Sequence, residues 1–258
     1  MSFLELDTHR LHYRIDGPAD APWLTFCNSL GTDLHMWAPQ AAALSAQFRI
    51  LRYDRRGHGQ STAPPGLYRI DDLGADVLAL WDALDIPRSH FCGLSIGGLT
   101  GQWLGIHAGA RLHTLTVAAT AAKIGTGQSW QARIAQVQQD GLPPLRQGTE
   151  ERWFTPAFAT EHRGVVDAVL EGFVATSTAG YVGCCNAVAT ADFRDQLDRI
   201  TVPTLAIAGD DDPVCPAPDL QTIASGVADG HYIAVPGRHI CNLESPDAFT
   251  AALGAHLR

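Results

Sequence analysis

Along this chain, short runs with apolar residues at every second position or throughout give way repeatedly to longer stretches whose apolar residues return every three or four positions. Phe3 to Leu6 and Leu11 to Ile15 alternate around Asp7-Thr8-His9-Arg10, which predicts an antiparallel hairpin ended by Asp16-Gly17-Pro18. Trp23 to Cys27 and Phe48 to Tyr53 read as compact strands. Ile70 to Leu84 has helical spacing, with Leu73, Val77, Leu80 and Leu84 on one face that would cover a sheet. Ser89 to Cys92 predicts a strand, Leu99 to His107 a helix, and Leu112 to Ala119 another strand. After a different stretch, β pattern returns at Thr204 to Gly209 and His231 to Val235, with helices over Ala217 to Val227 and Ser245 to Leu257. Strands alternating with helices predict a mostly parallel sheet covered on both faces.

The stretch that breaks the alternation runs from about Thr120 to Ala191. It reads as several short amphipathic helices separated by Gly and Pro, rich in Gln, Trp and Ala. An all-helical insertion of this kind predicts a cap over residues 120–191, inserted into a core made of residues 1–119 and 192–258. A cap encloses a substrate and excludes water. Most of its large side chains are expected to pack the cap, with one or two lining a pocket.

Composition narrows the class. The chain has 258 residues, with 46% hydrophobic and 17% charged, which suits one large folded α/β unit. Its formal net charge of -9 and lack of a basic block argue against a nucleic-acid partner. The same charge repels anions, so an anion site here needs local cations. None of the six cysteines forms a Cys-x-x-Cys pair, and several sit in apolar runs as small buried hydrophobes. Acidic residues stand near the N-terminus where a signal peptide needs an apolar core, and no apolar stretch is long enough to span a bilayer. A reducing cytoplasm and no membrane partner are the expectations. The sequence carries no signal for oligomeric state.

The chemistry centres on Gly93-Leu94-Ser95-Ile96-Gly97-Gly98, placed between a strand and a helix. Gly-x-Ser-x-Gly in that context is the nucleophile elbow of α/β-hydrolases. A serine on so tight a turn has strained backbone angles, and a neighbouring Cβ would collide with the adjacent strand or helix. The turn lifts the Ser95 hydroxyl above the sheet edge and sets the Ile96 N–H at the positive start of the helix, facing a developing oxyanion. A serine hydroxyl needs a base, and the base needs a carboxylate to hold its tautomer. The α/β-hydrolase order is serine, acid, histidine. His239 follows the last strand, and Asp212 stands at the Gly-x-x-Asp spacing after the strand at 204–209, with Asp210 and Asp211 as neighbouring alternatives. Leu30, in the loop after Trp23 to Cys27, is the candidate second oxyanion donor. Asp54-Arg55-Arg56-Gly57-His58-Gly59-Gln60-Ser61 resembles the Asp-x-Arg-Gly-x-Gly-x-Ser signature of the superfamily. Here Asp54 and Arg56 are expected to tie down a loop, and His58 is not expected to act in catalysis. No His-Glu-x-x-His or comparable metal-ligand spacing occurs, so neither metal nor cofactor is expected.

The resemblance then narrows. Asn28-Ser29-Leu30-Gly31-Thr32-Asp33 with Met36-Trp37, Arg52 to Gly59, the elbow, Asp212-Pro213-Val214-Cys215-Pro216 and Gly237 to Glu244 resemble the 3-oxoadipate enol-lactonase family over essentially the whole chain. The Asn-Ser-Leu-Gly run is the most selective part, since generic relatives carry His-Gly there. The resemblance implies an α/β-hydrolase fold with an eight-stranded sheet, and hydrolysis of an enol-lactone in the β-ketoadipate pathway of aromatic degradation. The small-molecule substrate it implies carries a carboxylate, and such an anion in an apolar pocket needs a partner. Lys123, Trp130 and Arg133 are the candidates. The same triad also serves broad carboxylesterases and cofactor-free haloperoxidases. A hydrolase-like ligand receptor often lacks a triad member, and none is missing here.

Overall fold

The computed structural model describes residues 2–258. Its eight strands are β1 (Ser2–Glu5), β2 (Arg10–Asp16), β3 (Trp23–Cys27), β4 (Arg49–Tyr53), β5 (Ser89–Leu94), β6 (Leu112–Ala118), β7 (Thr204–Gly209) and β8 (Gly230–Val235). They form one sheet in the order β1-β2-β4-β3-β5-β6-β7-β8. β1 and β2 pair antiparallel, β2 joins β4 antiparallel, and every later pairing is parallel. The interior strands β5 and β7 are buried along their whole length, so neither shows the in-out alternation of a half-exposed strand.

Side-chain alternation assigns the two faces. Thr25, Phe91 and Leu115 are cross-strand partners and share one face. That face receives α2 (Ile70–Ala83) through the Trp81 indole, which donates to Thr25 Oγ1 at 2.9 Å. It also receives the helix at Ile96–His107, where a Cβ on Gly101 would lie 2.8 Å from Leu115. Phe26 points to the other face and stacks on Trp37, whose ring meets Phe249 of the closing helix Pro246–His256. The helix α1 (Ala38–Leu44) packs beside that closing helix. The periodicity of Ala-Pro-Gln-Ala-Ala-Ala-Leu does not announce α1.

With the helix at Ile96–His107 numbered α3, five α-helices lie between β6 and β7: α4 (Gly127–Asp140), α5 (Arg146–Trp153), α6 (Pro156–Glu161), α7 (Arg163–Ala175) and α8 (Thr178–Thr190). α4 packs on α8, and α5 and α6 pack on α7. α9 (Ala217–Gly226), α10 (Cys241–Glu244) and α11 (Pro246–His256) complete the chain. All six cysteines are buried and free. No single helix among the described residues is long and apolar enough to cross a membrane.

Candidate active site

Ser95 stands between β5 and α3 at φ 59° and ψ −118°, a left-handed conformation that costs a non-glycine residue about 1–3 kcal/mol. The surroundings over-determine it. Its N–H donates to the Ala118 carbonyl at 2.9 Å, and its own carbonyl accepts from Thr120 Oγ1 at 2.8 Å. The flanking glycines are required by close approach. A Cβ on Gly93 would sit 2.1 Å from the Gly97 carbonyl oxygen, and one on Gly97 would sit 2.3 Å from that of Cys27. The elbow is thus pressed directly against the end of β3 and the loop that follows it.

His239 lies past β8 and Asp212 past β7, both buried. His239 Nδ1 is 2.9 Å from Asp212 Oδ2, so that nitrogen carries the hydrogen and Nε2 is left free to accept. The other carboxylate oxygen, Asp212 Oδ1, accepts the N–H groups of Val214 (2.7 Å) and Cys215 (3.2 Å), which fixes its rotamer. The neighbouring acids are otherwise engaged. Asp210 accepts the Gly237 N–H at 2.9 Å, and Asp211 pairs with Arg238 at 2.8 Å. Ser95 and His239 line one cavity of about 210 Å³, together with Leu30 and residues of the segment between β6 and β7. The Leu30 N–H has no acceptor among the described residues. Ile96 opens α3, so its N–H belongs to the first turn and lacks an intrahelical partner.

Of the three side chains expected to bind an anion, the fold brings Trp130 and Arg133 to this cavity. It does not bring Lys123, whose ammonium pairs with Asp192 at 2.8 Å and is absent from the lining. The Trp130 indole N–H is already spent on the Ile124 carbonyl at 2.7 Å, leaving the ring face as its contribution. A second guanidinium joins instead. Arg152 lines the cavity from α5, and neither it nor Arg133 has a carboxylate within salt-bridge distance among the described residues. Burial, and then the charge of Arg133, lower the Arg152 pKa, so two like charges face a shared space. Arg152 lies one residue before Trp153 on α5; its position is set by the packing of α5 on α7, and no local motif marks it.

The described residues contain one cluster with metal-type donors, Asp212, Cys215 and His239, all within 4.8 Å. Its members are ill suited to an ion. Asp212 and His239 already satisfy each other, and burial followed by the Asp212 and Asp219 charges pushes the Cys215 thiol well above its ordinary pKa.

A strained serine on a strand-to-helix turn, at the carboxyl ends of a mostly parallel sheet and sharing a cavity with a carboxylate-held imidazole, defines a hydrolase architecture. The chain belongs to the α/β-hydrolase fold family, whose profile matches residues 22–168. Among its relatives is 3-oxoadipate enol-lactonase 2 of Acinetobacter baylyi, 46% identical over 96% of this chain and 93% of that protein. A second protein of that organism, 3-oxoadipate enol-lactonase 1, is 42% identical over 93% of this chain and 90% of its own length. The crystal structure of the enol-lactonase from Burkholderia xenovorans superposes with a TM-score of 0.97 at 41% identity, covering 99% of both chains.

Proposed function

We propose that this protein hydrolyses 3-oxoadipate enol-lactone to 3-oxoadipate, with Ser95, His239 and Asp212 as its triad and residues 120–191 as a cap over the site. The carrying observation is a cavity of about 210 Å³ lined by Ser95, His239 and two guanidinium groups that have no carboxylate within salt-bridge distance among the described residues. A neutral-ester hydrolase has no use for that pair of charges, whereas a lactone with a carboxylate side arm supplies their counter-ion.

His239 Nε2 takes the Ser95 proton as Oγ attacks the lactone carbonyl carbon, and the N–H groups of Leu30 and Ile96 receive the oxyanion. Collapse breaks the bond between the acyl carbon and the ring oxygen. The ring oxygen leaves as an enolate, takes the proton from His239 at oxygen or carbon, and relaxes to the ketone, which draws ring opening downhill. Water then gives a proton to His239 as it attacks the Ser95 ester; collapse breaks the bond between the acyl carbon and Ser95 Oγ, His239 returns the proton to Oγ, and the product leaves with its second carboxyl group, which ionises in water. Arg133 and Arg152 hold the side-arm carboxylate throughout, while the Trp130 ring lines the cavity beside the apolar part of the substrate.

Three substrates offered to the purified protein test this reading: the enol-lactone, p-nitrophenyl acetate, and peroxide with halide. Turnover dominated by the enol-lactone, and lost in Ser95→Ala, is the expected result. Efficient turnover of p-nitrophenyl acetate with none of the lactone assigns a general carboxylesterase instead. Halide oxidation assigns a haloperoxidase, and tight binding without turnover a receptor.

A further inference from the structure

The loop that offers the Leu30 N–H is held from behind by side chains that take no part in the proposed reaction. Arg55 Nη1 donates to the Ser29 carbonyl at 3.1 Å, and Nη2 donates to the Asn28 carbonyl. Thr32 Oγ1 donates to the same Ser29 carbonyl at 3.0 Å. The Gly31 N–H donates to His58 Nε2 at 2.9 Å, and the Ser29 N–H to Met36 Sδ at 3.3 Å. In a planar trans peptide the C=O and N–H point in opposite directions. Fixing the Ser29 carbonyl on Arg55 therefore turns the Leu30 N–H to the other side, where Leu30 lines the cavity with Ser95. Leu30 is the one residue among positions 29–32 whose N–H keeps no acceptor.

The cost of this arrangement points to a purpose. Arg55 is 2% exposed, has no carboxylate partner, and leaves its Nε without an acceptor. A buried, unpaired guanidinium is among the most expensive side chains to place in a core, and an apolar one would fill the space more cheaply. His58 is equally specialised. Its Nδ1 lies 3.3 Å from the Arg56 carbonyl, which places the hydrogen there and the lone pair on Nε2, towards Gly31. Burial, and next the Arg55 charge, lower its pKa to about 3, so that lone pair stays available.

We propose that Arg55 and His58 are positioning residues that together hold the Ser29–Leu30 and Leu30–Gly31 peptides in the one orientation that aims the Leu30 N–H at the oxyanion. The proposal rests on Ser95 being the nucleophile and Leu30 an oxyanion donor, and the experiment separates the two levels. A short alkylboronic acid adds to a serine nucleophile. An O–B bond forms, the boronate takes the negative charge, and the hydroxyl proton passes to His239, giving a tetrahedral anion that needs the donors. The free product 3-oxoadipate needs only the cap arginines.

In the full-length protein, Arg55→Met and His58→Leu are each expected to lower kcat on the enol-lactone about 100-fold, the scale of losing one oxyanion donor, with KM unchanged. Boronic acid affinity falls by a comparable factor while inhibition by 3-oxoadipate is retained. Arg55→Lys and His58→Gln each restore one lost contact and recover part of both quantities. If Arg55→Met does not fold, Arg55→Lys decides by the same comparison of boronic acid with product. Wild-type boronic acid affinity in the folded variants overturns the proposal, and so does a loss matched equally by product binding. A wild-type protein that forms no boronate adduct removes the serine nucleophile itself, and the clamp falls with it.

Discussion

Arg133 and Arg152 approach the cavity from different helices; burial and then the Arg133 charge lower the Arg152 pKa, and neither guanidinium has a carboxylate within salt-bridge distance among the described residues. Such a pair binds an anion more readily than it stays empty, because a carboxylate removes the mutual repulsion and accepts charge-assisted hydrogen bonds. Arg152→Ala is expected to raise KM for the enol-lactone roughly 10- to 100-fold, the worth of one hydrogen bond to a charged group, with a smaller change in kcat. Steady-state kinetics with the lactone and with a neutral ester checks this, since the neutral ester should lose little. An unchanged KM removes Arg152 from the substrate's reach. Gly97 makes a different demand at the same scale. Its missing Cβ leaves room for the Cys27 and Asn28 carbonyl oxygens, which are backbone atoms and cannot swing aside. Gly97→Ala should therefore cost about 1–3 kcal/mol in urea unfolding and push the oxyanion loop out of register, lowering kcat as well. Ser95, Asp212 and His239 stand out as candidates because each sits at a local sequence of strand, turn and following element, and the fold brings the three near one cavity. Lys123 misled because a lysine's partner is invisible in one dimension, and here Asp192 claims it. Arg152 and the role of Arg55 lay out of reach for the converse reason: both depend on what the fold sets opposite them, and neither sits in a motif that says so.

The loop after β8 carries His239, and it is tied to the end of α5 as well as to the sheet. The Glu244 carboxylate accepts the N–H of Arg238 at 3.0 Å and that of Thr155 at 3.1 Å, as well as the Thr155 hydroxyl. The Ile240 N–H donates to the Trp153 carbonyl at 3.2 Å. One carboxylate thus fastens the loop that carries His239 to the helical segment that supplies Arg152. Glu244→Ala leaves those half-buried N–H groups unpaired and should cost about 1–3 kcal/mol of stability, with faster hydrogen exchange confined at first to residues 151–155 and 238–244. Glu244→Gln keeps an acceptor in the same place and should lose less of both. Exchange that rises evenly through the sheet in Glu244→Ala argues against such a latch. At this scale the sequence is most informative where a strand is buried on both faces, as at β3 and β7, and where a helix shows a full apolar stripe, as at α2. It is weakest at α1 and α10. Those helices are short and rich in small or polar residues, and they are held by tertiary contacts such as the Asn242 amide on the Met36 carbonyl at 2.8 Å.

Across the whole molecule the two ends of the sheet have been given different tasks. The candidate catalytic groups gather at the carboxyl ends of β5, β7 and β8, while a set of histidines gathers towards the amino ends, where His90 begins its run in β5 beside His113 of β6. Burial, followed by the charges of His113 and His256, lowers the His90 pKa to about 4. Burial is also the main cause that lowers His113 and His256, and it takes His58 to about 3. Each of these groups binds its proton more weakly in the folded chain than in the unfolded one, whose histidines titrate near 6.5. Above that value both states are neutral and these groups add no pH dependence. As pH falls below it, the unfolded chain takes up protons that the native chain excludes. Stability therefore drops by up to about 1.4 kcal/mol per pH unit for each such histidine, and the loss levels off once the native value is passed. Carboxylates held low by ion pairs, such as Asp16 and Glu150, add their own loss only further down the scale. The acid flank of the stability curve is thus expected to begin near pH 6.5, well above the carboxylate range. Urea midpoints measured downward from neutral pH check this, and His90→Gln, which retains a partner for Thr114 but cannot be protonated, should flatten part of the slope. A flat midpoint until the carboxylates titrate contradicts the histidine account and moves the acid sensitivity to the ion pairs.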